Sequence, residues 1–220
     1  MTKTNAGNFF EDFRIGQVLR HATPRTLTEG DRALYQALFG SRFSLQSSDE
    51  VARKAGYPQS PMDDLLAFHV VFGKTVPDVS LNAVANLGYA ECRFHRPVFP
   101  GDTLSTVSEV IGLKENSDGA TGVVYVRSTG TNQRDEVVID YVRWVMVRKR
   151  DKASPAPETK VPALASAVDA SNLFVPQGVS FKGFDVEASG SPHLWDDYEV
   201  GEKIDHVDGV TIEEAEHMMA

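Results

Sequence analysis

Two patterns of hydrophobic and polar positions follow one another along the first 150 residues. The stretch from Ile15 to Thr26 predicts a β-strand, and Thr28 then offers a side-chain oxygen to cap a helix over residues 29–39. Gly40 follows at the position where a glycine commonly ends a helix. The apolar stripe predicted for this helix consists of Ala33, Leu34, Ala37 and Leu38.

A second helix is predicted after an irregular, polar stretch at residues 41–61. The residues from Leu65 to Phe72 are apolar nearly all round the helix, which is typical of a buried helix. Asp63 and Asp64 precede them, and neighbouring helical residues point about 100° apart. We therefore interpret the two carboxylates as acids that favour the helix N-terminus, in preference to an acid–base pair.

From Ala83 onward the pattern changes to that of strands. Val, Thr, Tyr and Trp become frequent, and turn signals such as Asp118-Gly119 separate the runs. The predicted strands cover residues 86–97, 103–113, 121–131 and 136–149. The last strand is apolar on both faces, so one face is expected to cover the buried helix and the other to meet a second sheet or subunit.

The chain contains an internal repeat. Residues 10–31 align with residues 195–216 at a constant offset of 185 without a gap. We therefore predict a first domain at residues 8–150 and the start of a second, truncated copy at residues 195–220. If the copies are equally long, the second would extend to about residue 335. The alternative is a coincidental strand and helix that dock on the first domain.

Between the copies, residues 151–194 predict a linker. They contain five of the eleven prolines of the chain. Proline-rich stretches stay extended and cross a surface more readily than they build a core. This segment is therefore expected to connect the first copy to the second.

Charge and cysteine content exclude several classes of protein. The 22 basic residues against 31 acidic ones give a net charge of −9, which argues against a nucleic-acid or membrane-surface binder. No apolar run is long enough to span a membrane. The single cysteine, Cys92, cannot form an intramolecular disulfide, and the N-terminus contains no secretory signal, so the expected location is the cytoplasm.

A buried helix wrapped by a long antiparallel sheet, with the phrase Arg-Pro-Val-Phe-Pro-Gly-Asp-Thr-Leu at residues 96–104, resembles the α+β hotdog fold. Its wider setting at residues 67–104, 110–127 and 136–151 is similar to the mesaconyl-CoA hydratases, or β-methylmalyl-CoA dehydratases, of the MaoC-like family. The resemblance covers roughly residues 8–216. It implies a double-hotdog lyase that reversibly hydrates mesaconyl-CoA to β-methylmalyl-CoA in the ethylmalonyl-CoA route of acetate assimilation.

The resemblance also implies which ligands and partners to expect. The CoA thioester is the substrate, and neither a metal nor a separate cofactor is expected. The sequence itself contains no nucleotide-binding glycine loop, no Gly-x-Ser-x-Gly elbow and no HExxH zinc helix. The uncovered faces of the predicted sheet and helix need a second hotdog, from the same chain or from another copy in a homo-oligomer.

The residues that the family uses for catalysis are replaced in this chain. Hydration next to a thioester needs a base, an acid and donors to the enolate-like oxygen. The family motif reads roughly Gly-Asp-x-Asn-Pro-Leu-His, and the matching stretch is residues 40–46. Ser41 stands in place of the acid, Gln46 in place of the histidine, and Met62 in place of the oxyanion glycine. We therefore expect no catalytic residue within this chain and a working dyad beyond Ala220.

Four residues are candidates for contacts with the substrate. His69 lies on the helix along which the family's acyl tunnel runs, although a buried histidine bonded to the backbone is the favoured alternative. Arg93, His95 and Arg96 could hold a CoA phosphate, since arginine binds phosphate in bidentate fashion. A solvated strand edge is the alternative for these three. His21 recurs as His206 in the repeat, which also fits a shared structural role.

Two other functions stay open at this point. The hotdog fold hosts thioesterases as well as hydratases, so hydrolysis of an acyl-CoA to free thiol is an alternative reaction. A non-catalytic acyl-CoA-binding or assembly module is a further alternative, because Ser41 and Gln46 cannot act as bases near neutral pH.

Overall fold

The computed structural model describes residues 4–207 and 209–219. The chain divides into two compact units, of which the first contains the chain up to Leu27 together with Asp64–Pro176. The second contains Thr28–Asp63 and the chain from Gln177 onward. In the described residues the strands are β1 Val18–Thr26, β2 Ala83–Phe94, β3 Thr103–Glu115, β4 Thr121–Thr131 and β5 Val137–Arg148. The α-helices there are α1 Glu29–Phe39, α2 Ser44–Ser47, α3 Asp49–Ala55, α4 Asp64–Thr75 and α5 Glu214–Met219.

The five strands form one antiparallel sheet in the first unit. Their order is β1-β3-β4-β5-β2, so that β2 is hydrogen-bonded to β5 and forms an edge. β4 has the bounds that the sequence predicts, whereas β2 begins earlier than predicted, at Ala83. The remaining strands agree with the predicted ranges to within about three residues.

The helix α4 lies across the inner face of this sheet. Gly130 of β4 admits it, because a Cβ at that position would lie 2.6 Å from Cγ2 of Val71. The hydroxyl of Thr106 donates to the carbonyl oxygen of Val71 at 3.3 Å and joins β3 to the helix. A long antiparallel sheet wrapped around a central helix is the hotdog fold, and this confirms the predicted α+β class.

One side of α4 is not covered. Leu65 is 55% exposed, and His69 is exposed as well. The prediction of a buried helix is therefore confirmed for the side that carries Val70 and Val71 and wrong for the opposite side. The opposite side presents apolar and polar side chains at the surface.

The N-terminal segment completes the core of the first unit. Phe10 and Phe13 are 0% and 1% exposed and belong to the apolar cluster of the sheet. Phe10 lies over Gly122 of β4, where a Cβ would be 2.3 Å from the ring. The turn that carries Phe10 is fixed by Asp12, whose carboxylate accepts a hydrogen bond from the backbone N of Phe9 at 2.9 Å.

The helix α1 has the predicted bounds and ends. Thr28 and Asp31 form a reciprocal capping box, and Gly40 closes the helix with a φ of 57°. The predicted apolar stripe is wrong, since Leu34 is 44% exposed whereas Tyr35 is 8% exposed. Tyr35 is the buried residue of this helix instead, and its ring centroid lies 4.4 Å from that of Phe39.

The stretch predicted to be irregular, residues 41–61, contains α2 and α3, so that prediction is wrong. Ser48 caps α3 by accepting a hydrogen bond from the backbone N of Val51 at 3.3 Å. The small apolar cluster beneath α3 includes Ala52 and Ala55. Two alanines in a polar stretch are too weak a pattern for periodicity to detect.

The repeat found in the sequence recurs as local structure. A 3-10 turn at Phe10–Asp12 corresponds to one at Trp195–Asp197, and in each the aspartate accepts a backbone hydrogen bond, at 2.9 and 2.6 Å. Gly16 and Gly201 follow with φ values of 79° and 88°, and α1 and α5 begin at equivalent positions. The copies differ in burial, because the first aromatic residue of the turn is 0% exposed in one and 89% exposed in the other.

Part of the segment predicted as a linker, residues 151–194, packs on the sheet. Lys160 and Leu113 exchange two backbone hydrogen bonds of 2.8 and 2.9 Å. Gly112 permits this approach, because a Cβ there would lie 2.5 Å from the carbonyl oxygen of Lys160. The two compact units divide within this segment, after Pro176.

Candidate functional site

The stretch that aligns with the family's catalytic motif begins where α1 ends. After Gly40 the hydroxyl of Ser41 donates a hydrogen bond to Oδ2 of Asp63 at 3.2 Å. Burial, and secondarily the charge of Asp63, raises the pKa of Tyr35 to about 12. A protonated phenol and a hydroxyl can donate hydrogen bonds, but neither is a base near neutral pH.

Gln46 and Met62 occupy the other two replaced positions. Gln46 is 8% exposed, and its backbone carbonyl accepts a hydrogen bond from Nε2 of Gln36 at 2.9 Å. Met62 is 1% exposed. An amide and a thioether do not exchange protons near neutral pH, so these side chains supply packing and hydrogen bonds. That the chain carries no catalytic residue stays a prediction.

An ionic frame connects α1, α3 and the loop that leads to Asp63. Oδ1 of Asp49 accepts a hydrogen bond from the backbone N of Ser60 at 3.0 Å and lies 3.3 Å from Nη1 of Arg32. Hydrogen bonds from the side chain and backbone of Ser60, with a smaller contribution from Arg32, lower the pKa of Asp49 from 3.8 to about 2. Sequence patterns carry no signal for this frame, because its members are 11 to 28 residues apart.

His69 lies beside a cluster of aromatic rings on α4 and the inner face of the sheet. The expectation that His69 is buried is wrong, since its side chain is exposed; its use in binding a ligand stays a prediction. We call the rings of Phe68, Phe72, Tyr89 and Tyr141 the aromatic cluster. Their centroids lie 5.1 to 6.3 Å apart. Tyr89 is 42% exposed, so the aromatic cluster is accessible to solvent at the edge strand β2.

Arg93 and His95 meet a common carboxylate on the outer face of the sheet. Oδ2 of Asp140 lies 3.4 Å from Nη2 of Arg93, and Oδ1 is hydrogen-bonded to Nε2 of His95. Arg127 adds a contact of 3.2 Å to Asp140 and also pairs with Glu91, whose pKa it lowers. These charges largely neutralise one another, and a role for Arg93 and His95 in binding a CoA phosphate stays a prediction.

Arg96 forms a separate contact. Its Nη1 lies 2.9 Å from Oε1 of Glu136, and its Nε donates to the carbonyl oxygen of Val137 at 3.0 Å. Its role in substrate binding likewise stays a prediction. Arg93, in contrast, also lines a cavity of about 310 Å³ together with Asp169.

Sequence reasoning missed Arg143, which is buried on the inner face of β5. Its side chain is 1% exposed, and its guanidinium lies 4.5 Å from the centroid of the Phe72 ring. Nη2 donates to Oγ1 of Thr75 at 2.9 Å, Nη1 contacts Oγ of Ser80 at 3.5 Å, and Nε has no hydrogen-bond partner in the described residues. Burial lowers the pKa of Arg143. The sequence pattern hides it, because it stands within an apolar run.

His21 belongs to a second buried polar group. Its Nδ1 lies 2.7 Å from Oδ2 of Asp78, and its Nε2 lies 2.8 Å from Oγ of Ser108, which in turn is 2.7 Å from Oγ of Ser128. The order resembles a Ser-His-Asp triad, but both hydroxyl residues are 0% exposed and out of reach of a substrate. This geometry supports a structural role for His21, which joins β1 and β3 to the turn after α4.

The described residues offer no other obvious reactive centre. No group of three His, Cys, Asp or Glu side chains among residues 4–207 and 209–219 is arranged to hold a metal ion. None of the helices in this part of the chain is long and apolar enough to cross a membrane. Burial raises the pKa of the Cys92 thiol, which makes it a poor nucleophile.

The chain matches a family described as mesaconyl-CoA hydratase over residues 1–189. It is 65% identical over 218 residues to a mesaconyl-CoA hydratase from Cereibacter sphaeroides. It is 66% identical over 218 residues to a β-methylmalyl-CoA dehydratase from Chloroflexus aurantiacus. These alignments cover 99% of this chain but 64% and 62% of the two relatives. The chain therefore spans less than two thirds of the length of either protein.

Solved structures show the same similarity. A MaoC domain protein from Chloroflexus aurantiacus, described as a dehydratase, superposes with a TM-score of 0.96 at 65% identity over 100% of this chain and 62% of that one. A double-hotdog protein from Mycobacterium tuberculosis matches 78% of this chain and 51% of its own, with a TM-score of 0.60 and 31% identity.

Proposed function

Because the chain belongs to the mesaconyl-CoA hydratase family, we propose that the native protein hydrates mesaconyl-CoA reversibly to β-methylmalyl-CoA. The observation that carries this proposal is the identity of 65% and 66% to relatives named for the two directions of that reaction. In this reaction the hydroxyl of water bonds to the β-carbon and a proton is added to the α-carbon next to the thioester. On this proposal the protein is a carbon–oxygen lyase, and CoA enters the reaction as part of the substrate. The one cysteine within residues 1–220 fits a reducing, cytoplasmic location.

The described residues at the replaced positions argue against a catalytic role for this part of the protein. Ser41 donates to Asp63, Gln46 is bonded through its backbone, and Met62 is buried. None of these three replaced side chains can activate water near neutral pH. We infer that this part shapes the acyl-CoA pocket and that the acid and base are supplied from outside residues 1–220.

A second hotdog is the proposed source of those groups. The local structure at Trp195–Asp197 repeats that at Phe10–Asp12, which supports a second copy of the fold. The edge strand β2 and the open side of α4 expose apolar side chains, including Leu65, Leu87 and Tyr89. Such a surface is suited to pairing with a second hotdog of the same chain or of another copy.

The reaction is tested with the native full-length polypeptide and mesaconyl-CoA. Loss of the ultraviolet absorbance of the enoyl thioester, with β-methylmalyl-CoA identified by mass spectrometry, is the expected result. Release of free thiol without loss of the double bond would favour a thioesterase. Binding of acyl-CoA with neither reaction would favour a non-catalytic module.

Two substitutions test the assignment of the replaced positions. Ser41→Ala and Gln46→Leu are expected to leave turnover within about threefold of the parent enzyme, whereas removal of a working acid or base lowers it by about 10²- to 10⁴-fold. A loss in that larger range for either variant, with an unchanged melting temperature, would contradict the proposal that catalysis lies elsewhere.

A further inference from the structure

Arg143 differs from two other buried or half-buried cations of the first unit, Lys149 and Arg127. Lys149 is paired with Glu115 at 3.1 Å, and Arg127 is paired with two carboxylates. Arg143 is 1% exposed, yet no carboxylate among residues 4–207 and 209–219 forms an ion pair with it. Its partners are the hydroxyls of Thr75 and Ser80 and the face of Phe72.

The burial of a cation without a counter-charge does not stabilise the fold. Moving a guanidinium out of water carries a large penalty, and hydroxyls with one aromatic face offset only part of it. An apolar side chain of similar volume would avoid this penalty. The charge at Arg143 is therefore better explained by an anion that it binds.

We propose that Arg143 binds the free carboxylate of the acyl group and sets the specificity of the enzyme for carboxylated acyl-CoA. This inference rests on the proposed function. Mesaconic and β-methylmalic acids are dicarboxylic acids, so each mono-CoA thioester keeps one free carboxylate. A planar guanidinium with an unbonded Nε matches such a group, because arginine binds carboxylates through two parallel hydrogen bonds.

The surroundings of Arg143 suit the rest of the acyl group. It stands opposite Tyr89 in the register of β5 and β2, and β2 is an edge strand. Its guanidinium lies 4.5 Å from the centroid of the Phe72 ring, and the apolar rings of the aromatic cluster match the hydrocarbon part of the acyl group. Because Arg143 is 1% exposed and Tyr89 is 42% exposed, binding of an acyl group at Arg143 requires the Tyr89 ring to turn aside. Exclusion of water there strengthens the ion pair between guanidinium and carboxylate.

The test compares substrates that differ only in the carboxylate. Tiglyl-CoA carries a methyl group where mesaconyl-CoA has its carboxylate. In the full-length protein, Arg143→Met is expected to lower kcat/KM for mesaconyl-CoA by about 10²- to 10³-fold. The same substitution should change kcat/KM for tiglyl-CoA by less than about threefold. Arg148→Met, on the same strand but exposed, is the matched control and should alter neither value.

A binding measurement separates this inference from the proposed reaction. Succinyl-CoA carries a carboxylate where butyryl-CoA carries a methyl group. Both thioesters are saturated and cannot be hydrated, so calorimetry measures recognition of the carboxylate without turnover. The parent protein should prefer succinyl-CoA, and Arg143→Met should abolish the preference while retaining the melting temperature. If Arg143→Met fails to fold, Arg143→Lys should fold and lose about tenfold of the preference, because lysine lacks the bidentate geometry.

Three results would overturn the role of Arg143. The first is that the parent protein shows no preference for succinyl-CoA over butyryl-CoA. The second is that Arg143→Met lowers kcat/KM or affinity equally for both members of a substrate pair. The third is that Arg143→Met retains the preference for succinyl-CoA. A parent protein that hydrates neither mesaconyl-CoA nor tiglyl-CoA would refute the proposed reaction instead. The two calorimetric affinities would still decide the role of Arg143 in that case.

Discussion

Replacement of Gly122 by alanine tests how tightly the N-terminal segment is packed on the sheet. A Cβ at this position would lie 2.3 Å from two carbons of the Phe10 ring and 2.5 Å from a third. Carbon atoms in favourable contact are about 3.5 Å apart or more, so the ring would have to move by about 1 Å.

Phe10 has little freedom to move. It is 0% exposed, and the neighbouring Glu11 accepts hydrogen bonds from the backbone N of Arg150 and of Asp151 at 2.9 and 3.0 Å. Overpacking of this kind lowers the free energy of unfolding by about 1–3 kcal/mol. The gain from removing a glycine in a strand is only about 0.5–1 kcal/mol. Expulsion of the ring would raise the loss to about 3–5 kcal/mol, as for a Phe→Ala change.

The free energy of unfolding of Gly122→Ala is measured by urea denaturation with circular dichroism. Gly73→Ala is the matched control, because nothing lies within 4 Å of its Cβ and alanine favours a helix by about 1 kcal/mol. The double variant Phe10→Leu with Gly122→Ala should lose less than the sum of the single changes, since the smaller side chain relieves the clash. A Gly122→Ala protein as stable as its parent would refute the packing argument.

Three further predictions concern buried and charged groups. His21→Leu removes the hydrogen bonds to Asp78 and Ser108 and should lower the free energy of unfolding by about 1–3 kcal/mol, so an unchanged urea midpoint would contradict its structural role. The pKa of Asp49 falls from 3.8 to about 2 on folding, so its stabilising effect is present above pH 3.8 and is lost as the pH falls through 2. Melting temperatures of Asp49→Asn and its parent should therefore differ at pH 7 and converge near pH 2, whereas a constant difference would count against the ionic frame. Burial raises the pKa of Tyr141 to about 12, as it does that of Tyr35, so an absorbance titration should show a late phenolate step that Tyr141→Phe reduces by one tyrosine; titration of every tyrosine near pH 10 would be the contrary result.

The strands and the central helix were largely predictable because their signals are local. β4 lies at its predicted residues, and Thr28 and Gly40 mark the two ends of α1 as predicted. Each of these features depends on neighbours in the sequence, such as alternation along a strand or a capping oxygen next to a helix.

The features that were missed depend on contacts between distant residues. α3 is stabilised by a cap at Ser48 and by the frame around Asp49, and neither has an apolar period. Arg143 stands in an apolar run, and only the fold shows that its charge points inward toward Thr75. The candidate site could be placed from the family motif, but its hydrogen bonds, such as Ser41 to Asp63, could not.

The contact between Phe10 and Gly122 sets a limit on how fast the protein can assemble. Gly122 is synthesised more than a hundred residues after Phe10, and Glu109 of β3 similarly follows its partner Val18 of β1 by about ninety residues. At about 5–20 residues per second, the first strand leaves the ribosome roughly 5–20 s before the surface that holds it. Such non-local closure slows folding, so β1, although it is made before its partner β3, is among the last strands to reach its native place.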